Sequence, residues 1–259
     1  MVVTYANYYD MVDYSHLENY LSDEVECFVF DSIPSTNNYL SSLAFSLKTQ
    51  VCIAAQQTQG KGQHNRAWLS SKGGSILLSI RRVFLVGVNL NGLSLVVGLA
   101  LIEVLKDYGI TDLQLKWPND VYYQDRKLAG ILIENAVRNQ TQSVIIGLGI
   151  NIDADINCQT PWINLHSINK QKPINKFSLT TDSINKILQL CQIFEANGFA
   201  YFAQQWENVD YLQGRRAQYD DKKQIFSGVC CGVNNEGVLL VETQYGAKLV
   251  YSSEFLSLY

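Results

Sequence analysis

Two cations and two glycines share one short segment of this chain. Residues 57–68 read Gln57-Thr58-Gln59-Gly60-Lys61-Gly62-Gln63-His64-Asn65-Arg66-Ala67-Trp68. Gly60 and Gly62 reach backbone conformations that strain other residues, and Asn65 tolerates the left-handed region better than most. A loop of this kind can turn its N–H groups toward an anion. Lys61 and Arg66 add two fixed positive charges, and hydrogen bonds to charged groups contribute about 1.5–3 kcal/mol each. The loop can therefore hold a phosphate together with a carboxylate. Trp68 offers a flat face for a base or for packing on a ligand. Taken alone, the segment is better read as a solvated turn between strands.

Four further segments change that balance. Lys116-Trp117-Pro118-Asn119-Asp120 ends a strand and opens a turn. Pro-Asn-Asp is common turn chemistry, which explains the backbone but leaves Lys116 and Trp117 unaccounted for. Asp120 could hold Mg2+, which takes oxygen ligands and would ride on ATP phosphates. Lys127-Leu128-Ala129-Gly130-Ile131-Leu132-Ile133-Glu134 puts a lysine at the head of a very apolar strand. With an ordinary pKa of about 10.4 it is cationic at neutral pH and suited to a carboxylate, although a snorkelling surface lysine is the simpler account of Lys127 by itself. Gly130 lets a ligand approach the backbone, where neighbouring N–H and C=O groups can bond a flat polar ring. Ser35-Thr36-Asn37 places three small polar side chains at a helix start. They can bond a urea-like group; alone, N-capping explains them better. Gly147-Leu148-Gly149-Ile150-Asn151 lacks the third glycine of a dinucleotide fingerprint, and strand-like residues follow it, so a Rossmann site is rejected. Asn151 could read an adenine edge or be an ordinary strand asparagine. In this fixed order the five segments fit a site that holds an acyl-adenylate.

The elements that must carry these residues follow from periodicity and turn chemistry. A short helix is expected over 16–21, strands over 25–31 and 51–56, and a helix from Ser35 or Thr36 to about Leu47. Residues 58–66 are a loop and 75–82 a strand. A buried helix runs over 93–108, with Gly109 placed to end it. Strands follow over 113–117 and 143–152. Between them, 121–123 and 128–136 form a hairpin around Gln124-Asp125-Arg126. Residues 153–177 are polar and irregular, and 180–205 are helical with a break at Asn197-Gly198. Beyond Gly214 short strands at 215–219, 224–233, 237–242 and 247–251 alternate with close turns, the pattern of a five-stranded SH3-like barrel with a boundary near residue 212.

Composition bounds the partners. The chain has 259 residues, 47% hydrophobic and 17% charged, with net charge −4 and pI about 5.4. That balance argues against a dedicated nucleic-acid surface. No apolar run reaches the roughly 20 residues that span a bilayer. The first 13 residues hold two acids and no basic residue, so no secretory signal is expected. The six cysteines form no Cys-x-x-Cys pair and read as free buried thiols of a cytoplasmic protein. Cys230 and Cys231 would point to opposite faces of a strand. The three histidines are scattered without metal spacing, and His64 receives no catalytic role. No Ser-His-Asp order or paired carboxylate motif stands out.

The joint pattern resembles the biotin protein ligase family over nearly the whole chain, about 26–258, with 116–120 and 127–134 its most specific parts. The resemblance implies an α+β fold. A mixed-sheet, class II synthetase-like catalytic domain would span 1–211 and a C-terminal SH3-like β-barrel 212–259. It implies a two-step reaction: the biotin carboxylate attacks the α-phosphate of ATP, giving biotinyl-5′-AMP and pyrophosphate, and a lysine of a biotin carboxyl carrier protein then attacks the acyl carbon and releases AMP. By position, Ser35, Thr36, Asn37, Gln57 and the backbones of Gly130 and Leu132 would bind the biotin ring. Lys61, Gly62 and Gln63 would lie along the biotin tail and the adenylate linkage. Lys127, Arg66 and Lys116 would be catalytic, Lys127 pairing with the carboxylate and then the phosphate bridge. Arg66, Trp68, Lys116, Asn119 and Asn151 would bind ATP, with Asp120 on the Mg2+ side.

Two departures from the family pattern stand out. Its usual loop is Gly-Arg-Gly-Arg-Arg-Gly-Arg, whereas this chain has Gly60-Lys61-Gly62-Gln63-His64-Asn65-Arg66. Lysine keeps the charge but loses the bidentate fork, and Gln63 lacks a cation, so the loop is expected to leak more biotinyl-AMP. Only about 25 residues precede the core, too few for the winged-helix DNA-binding domain of some members, so no DNA partner is expected. A homodimer through the sheet edge would follow from family habit. Two other readings stay open: a lipoate or octanoate transferase, for which the polar set at Ser35, Thr36, Asn37 and Gln57 would lack purpose, and a biotin sensor without transfer activity, against which Lys127, Arg66 and Lys116 argue.

Overall fold

β1 (Val25–Phe30) and β2 (Thr49–Ala54) pair in parallel, so the chain between them must cross over the sheet, and it does so through α1 (Thr36–Ser42). The computed structural model describes residues 12–14, 16–21, 25–138, 141–170 and 173–259. Most of the N-terminal stretch without a secretory signal, residues 1–11, lies outside them. The expected opening helix is a single 3-10 turn, Leu17–Tyr20, with Leu17 fully buried.

β3 (Ser75–Leu85) returns antiparallel to β2. α2 (Leu93–Asp107) is buried along most of its length, as its continuous apolar run demands, and Gly109 takes φ +80 just past its end. β4 (Leu113–Lys116), β5 (Asp120–Tyr123), β6 (Arg126–Arg138) and β7 (Thr141–Asn151) complete a seven-stranded sheet ordered β1-β2-β3-β7-β6-β5-β4. Every pairing except β1 with β2 is antiparallel. The β5–β6 turn has φ 46 at Gln124 and φ 61 at Asp125, the double positive φ of a two-residue hairpin loop.

The stretch read as irregular contains α3 (Leu165–Ile168), capped by the Asn164 side chain on the Ser167 N–H. α4 (Lys176–Asn197) begins four residues earlier than expected because Asn175 caps it through the Ser178 N–H. Gly198 ends it with φ 66, where the break was expected, and α5 (Ala203–Glu207) follows. The C-terminal strands are β8 (Arg216–Asp220), β9 (Ile225–Val233), β10 (Leu239–Thr243), β11 (Gly246–Val250) and β12 (Leu256–Leu258). They form a five-stranded antiparallel sheet ordered β11-β10-β9-β8-β12. One buried cluster joins Ala217, Cys230, Leu239, Val241 and Val250 of this sheet to the core around α2 and β3. Trp117 Nε1 donates to the Gly237 carbonyl at 3.0 Å across the same junction. Among the described residues no helix is long and apolar enough to cross a membrane.

Two expectations need correction. Not all cysteines are buried: Cys158 and Cys231 are exposed, although all six are free. Burial pushes the Cys52 and Cys191 thiols up to about 12 and Cys230 up to about 11. α1 stops at Ser42, five residues short of Leu47, because a cation from the neighbouring sheet takes its last carbonyls. Arg81, on β3 and 4% exposed, donates to the carbonyls of Leu40 at 2.8 Å, Leu43 at 3.2 Å and Ala44 at 2.6 Å. A cation at a helix C-terminus also opposes the helix dipole favourably. Arg81→Ala is expected to cost about 3 kcal/mol of folding stability, read from urea denaturation; a loss under about 1 kcal/mol would show that water serves those carbonyls as well.

Candidate active site

The site is a cleft of about 490 Å³ on one face of the seven-stranded sheet, and it gathers all sixteen residues singled out in the sequence: Ser35, Thr36, Asn37, Gln57, Lys61, Gly62, Gln63, Arg66, Trp68, Lys116, Asn119, Asp120, Lys127, Gly130, Leu132 and Asn151. Residues more than a hundred positions apart meet because β6 and β7 run side by side beneath α1 and the 57–68 loop.

Its polar end is preassembled. Ser35 caps α1, its Oγ accepting from the Asn38 N–H at 3.4 Å. Gln57 Oε1 accepts from the Thr36 N–H at 2.7 Å and the Thr36 hydroxyl at 3.0 Å, which commits the Gln57 acceptor and leaves its NH2 as a donor. Asn37 donates to Glu134 Oε2 at 2.6 Å. Ser79 Oγ sits 2.7 Å from Thr36 Oγ1 and 2.5 Å from Asn37 Oδ1. Ser35, Thr36 and Asn37 are each under 5% exposed and Ser79 is fully buried, so their orientation is fixed before any ligand arrives. A Cβ on Gly147 would collide with the Asn37 side chain; this glycine makes room for that group.

The middle of the cleft is cationic. Lys61, Arg66, Lys116 and Lys127 line it against two carboxylates, Asp120 and Glu254, in a chain whose net charge is −4. Lys127 Nζ lies 2.7 Å from Asp120 Oδ1 and 5.3 Å from the Trp68 ring centroid. The Lys127 backbone is held by residues 161–163: its N–H donates to the Pro161 carbonyl at 2.9 Å, and its carbonyl accepts from the Ile163 N–H at 2.9 Å. Burial pulls the Lys116 ammonium below the ordinary lysine value, with Lys127 and Arg215 acting the same way and Asp120 opposing them. The Asn119 side-chain NH2 donates to the Ile131 carbonyl at 2.6 Å, and the Asn119 backbone carbonyl accepts from the Ile131 N–H at 2.9 Å.

The 57–68 loop is closed by its own backbone. The Gly62 N–H donates to the Arg66 carbonyl at 2.7 Å and the Trp68 N–H to the Gly60 carbonyl at 2.9 Å. The left-handed residue is His64, φ 53; its Nδ1 reaches Glu254 Oε2 at 3.4 Å. Lys61 Nζ donates to Asn38 Oδ1 at 2.7 Å. Trp68 leans over Gly130 and Gly149: a Cβ at Gly149 would lie 2.5 Å from the indole and one at Gly130 2.9 Å from it. Two buried polar atoms at this end have no partner among the described residues, Trp68 Nε1 and Asn151 Oδ1; the Asn151 amide NH2 donates to the Ile163 carbonyl at 3.3 Å. Such atoms cost free energy unless a ligand or water meets them.

Sequence reasoning missed several contributors. Ser79 and Glu134 orient Asn37; a lone serine inside Ile76-Leu77-Leu78-Ser79-Ile80 was the available signal. Gly147 and Gly149 were noted without a site role. Trp162, Cys158, Glu254, Leu256 and Leu258 also line the cleft, and nothing local in the sequence marks them.

Comparison with known proteins agrees with this geometry. Residues 29–151 match the Biotin/lipoate A/B protein ligase family. The chain is 34% identical over 224 residues to the Bifunctional ligase/repressor BirA of Escherichia coli, covering 83% of this chain and 68% of that protein. It is 40% identical over 107 residues to the Biotin--[acetyl-CoA-carboxylase] ligase of Mycobacterium tuberculosis, 39% of each chain. The biotin protein ligase from Aquifex aeolicus, solved in complex with biotin and ATP, superposes with TM-score 0.75 at 26% identity over 90% of this chain and 98% of that one. With this degree of identity over two thirds of a full-length relative, and with the cleft built from the motifs described, the chain belongs to the biotin protein ligase family.

Proposed function

We propose that this chain activates biotin with ATP to biotinyl-5′-AMP and transfers biotin to a lysine of a biotin carboxyl carrier protein. The observation that carries the reading is the continuity of a preassembled polar pocket (Thr36, Asn37, Gln57) with a cationic stretch (Lys127, Lys116, Arg66) in one cleft. The pocket suits the ureido ring and the cations suit the carboxylate and the phosphates.

In the first step a carboxylate oxygen of biotin forms a bond to the α-phosphorus and the bond to the bridging oxygen of pyrophosphate breaks. Both reactants are anionic, so the barrier is largely repulsion plus the loss of freedom on meeting. Lys127 and Lys116 offset that repulsion, and the polar pocket holds the ring so that the tail lies along Lys61, Gly62 and Gln63. Arg66 contacts phosphate, and Trp68 and Asn151 offer unpartnered polar atoms beside the adenine position. In the second step the neutral amine of the acceptor lysine attacks the acyl carbon. AMP leaves with the bonding electrons of the acyl–oxygen bond, and the amine proton passes to solvent. The same cations stabilise the phosphate oxygen as it takes up charge.

Mg2+ belongs to the reading as an ion that would be carried by ATP and would lower the charge of its phosphates. Among the described residues no group of three or more His, Cys, Asp or Glu side chains could hold a metal alone; of the two cleft carboxylates, Glu254 faces His64 and Asp120, beside Lys127, is the one that would reach the ion. The reading also includes closure of the C-terminal sheet as an SH3-like barrel, supported by the return of β12 onto β8. A cytoplasmic location, a homodimer through the sheet edge and, in keeping with the net charge of −4, no DNA partner complete it; sedimentation with and without biotin and ATP tests the dimer.

The first experiment is ATP–pyrophosphate exchange with biotin and Mg2+, run beside transfer to a biotin carrier domain. Biotin-dependent exchange with transfer is expected. Exchange with lipoate or octanoate instead of biotin would overturn the substrate, and tight biotin binding without exchange would make the chain a sensor. The altered loop supplies a second prediction. Gln63→Arg adds a charge-assisted hydrogen bond worth about 1.5–3 kcal/mol beside the linkage and is expected to slow escape of biotinyl-AMP roughly tenfold or more. Rapid-dilution chase of labelled adenylate reads this directly, and equal escape rates would remove Gln63 as the cause of leakage.

A further inference from the structure

The edge of the seven-stranded sheet beside Lys116 is not bare. The Leu115 N–H donates to the Val209 carbonyl at 2.7 Å and the Leu115 carbonyl accepts from the Tyr211 N–H at 3.0 Å, so Asp210 lies beside Leu115 of β4 as an isolated parallel bridge. This brings Tyr211 against Tyr122 of β5, ring centroids 4.9 Å apart. Tyr122 faces Gln114 across the β4–β5 ladder, which makes it a diagonal neighbour of Lys116 on the same side of the sheet. The Lys116 ammonium lies 5.1 Å from the Tyr122 centroid and 5.8 Å from that of Tyr211, and 3.5 Å from the Tyr122 hydroxyl.

The outer ring is itself clamped. The Tyr211 hydroxyl donates to Asp125 Oδ1 at 2.7 Å, and Arg215 donates to the same oxygen at 2.8 Å. The Arg215 guanidinium carbon stands 3.9 Å from the Tyr211 centroid, and its Nε donates to the Tyr211 carbonyl at 2.9 Å. Asp125 is in the β5–β6 turn, two residues before Lys127; Arg215 is the last residue before β8. The clamp thus joins the active-site hairpin to the entry of the C-terminal sheet.

We propose that Tyr122 and Tyr211 form an aromatic seat that presents the Lys116 ammonium to the triphosphate of ATP, and that Asp125 and Arg215 hold the outer ring of that seat in place. Tyr211, Asp125 and Arg215 are positioning residues: they act through Lys116, not by touching the nucleotide. The inference rests on the adenylation reading given above. Without the seat, a lysine on a flexible four-carbon stem must be ordered at the moment of binding; with it, the Tyr122 hydroxyl and the two neighbouring rings hold the cation near its working place. The seat lies away from the polar pocket that suits the ureido ring, so its loss is felt by ATP and not by biotin.

The test separates ring from hydroxyl and ATP from biotin. Tyr211→Leu is expected to lower kcat/KM for ATP in biotin-dependent exchange about tenfold, while the Kd for biotin, measured by calorimetry, stays within twofold. Tyr211→Phe keeps the ring and is expected to stay within threefold of the natural protein. A Leu variant that exchanges normally, or one whose biotin and ATP constants worsen together, would overturn the seat. Where Tyr211→Leu does not fold, the double variant Asp125→Asn/Arg215→Gln changes only solvent-exposed side chains and is expected to lower kcat/KM for ATP about threefold; an unchanged value would overturn the clamp. Failure of the natural protein to exchange with biotin would instead sink the functional reading itself.

Discussion

Lys127→Ala is expected to lower biotin-dependent ATP–pyrophosphate exchange by roughly 10²–10³-fold, the usual cost of removing one preorganised group that meets transition-state charge. Two effects add. The ammonium that would pair with the carboxylate and then the phosphate bridge is gone, and Asp120, 2.7 Å from it in the natural protein, is left as an uncompensated negative charge where two further anions must come together. At about 4 Å and an effective dielectric near 20, two like charges repel by about 4 kcal/mol. The second effect is separable. At saturating Mg2+, which offsets loss of the carboxylate proposed to reach the ion, Lys127→Ala/Asp120→Asn should recover part of the lost rate, because the repulsion disappears while the missing cation stays missing. Biotin binding should suffer less than exchange, since Thr36, Asn37 and Gln57 are untouched. Exchange within tenfold of the natural protein would remove Lys127 from the chemistry, and a double variant no better than the single one would remove Asp120 as the source of repulsion.

Gly149→Ala should be nearly as damaging, although it deletes nothing. The added methyl would lie 2.5 Å from the Trp68 indole, and one side must move. The strand cannot retreat, because Gly149 is paired with Leu77 on β3 and with Gly130 on β6. The indole therefore leaves, and through the Trp68 N–H to Gly60 carbonyl bond it disturbs the base of the ligand loop. Base-on-aromatic contact is worth about 1–3 kcal/mol, so kcat/KM for ATP is expected to fall roughly 10- to 100-fold while the midpoint of thermal unfolding moves little. Gly147→Ala strikes Asn37 instead and should weaken biotin in place of ATP. Normal ATP saturation in Gly149→Ala would show that the indole does not serve the nucleotide.

Much of this site was readable from residue types and spacing. Taken singly, most of its five short segments read better as a turn, an N-cap or a surface lysine; their joint order and its resemblance to a known family singled out the sixteen residues that line one cleft. The element order was equally legible, because α2, β3 and β7 are long apolar runs bounded by glycine or turn residues. What escaped was non-local. Arg81 shortens α1 from a strand that is a neighbour only in space. Ser79 and Glu134 orient Asn37 from β3 and β6. The pair 209–211 with β4 rests on two backbone bonds that leave no trace in hydropathy. His64 shows the limit of reasoning by type: Asn65 has the better left-handed propensity, yet His64 holds φ 53.

Trp117 belongs to the most recognisable motif of the cleft, yet its indole N–H is answered 120 positions later by Gly237, and Glu254, Leu256 and Leu258 supply a wall. A chain emerging from the ribosome in order has made every cation and every polar anchor of the site before it has made that wall. Until Gly237 is in place the indole lacks its acceptor, and until β12 is synthesised and laid on β8 the cleft lies open to water on one side. Competence for biotin activation is thus a late event in the life of each molecule, tied to completion of the C-terminal sheet and not to the appearance of its chemical groups.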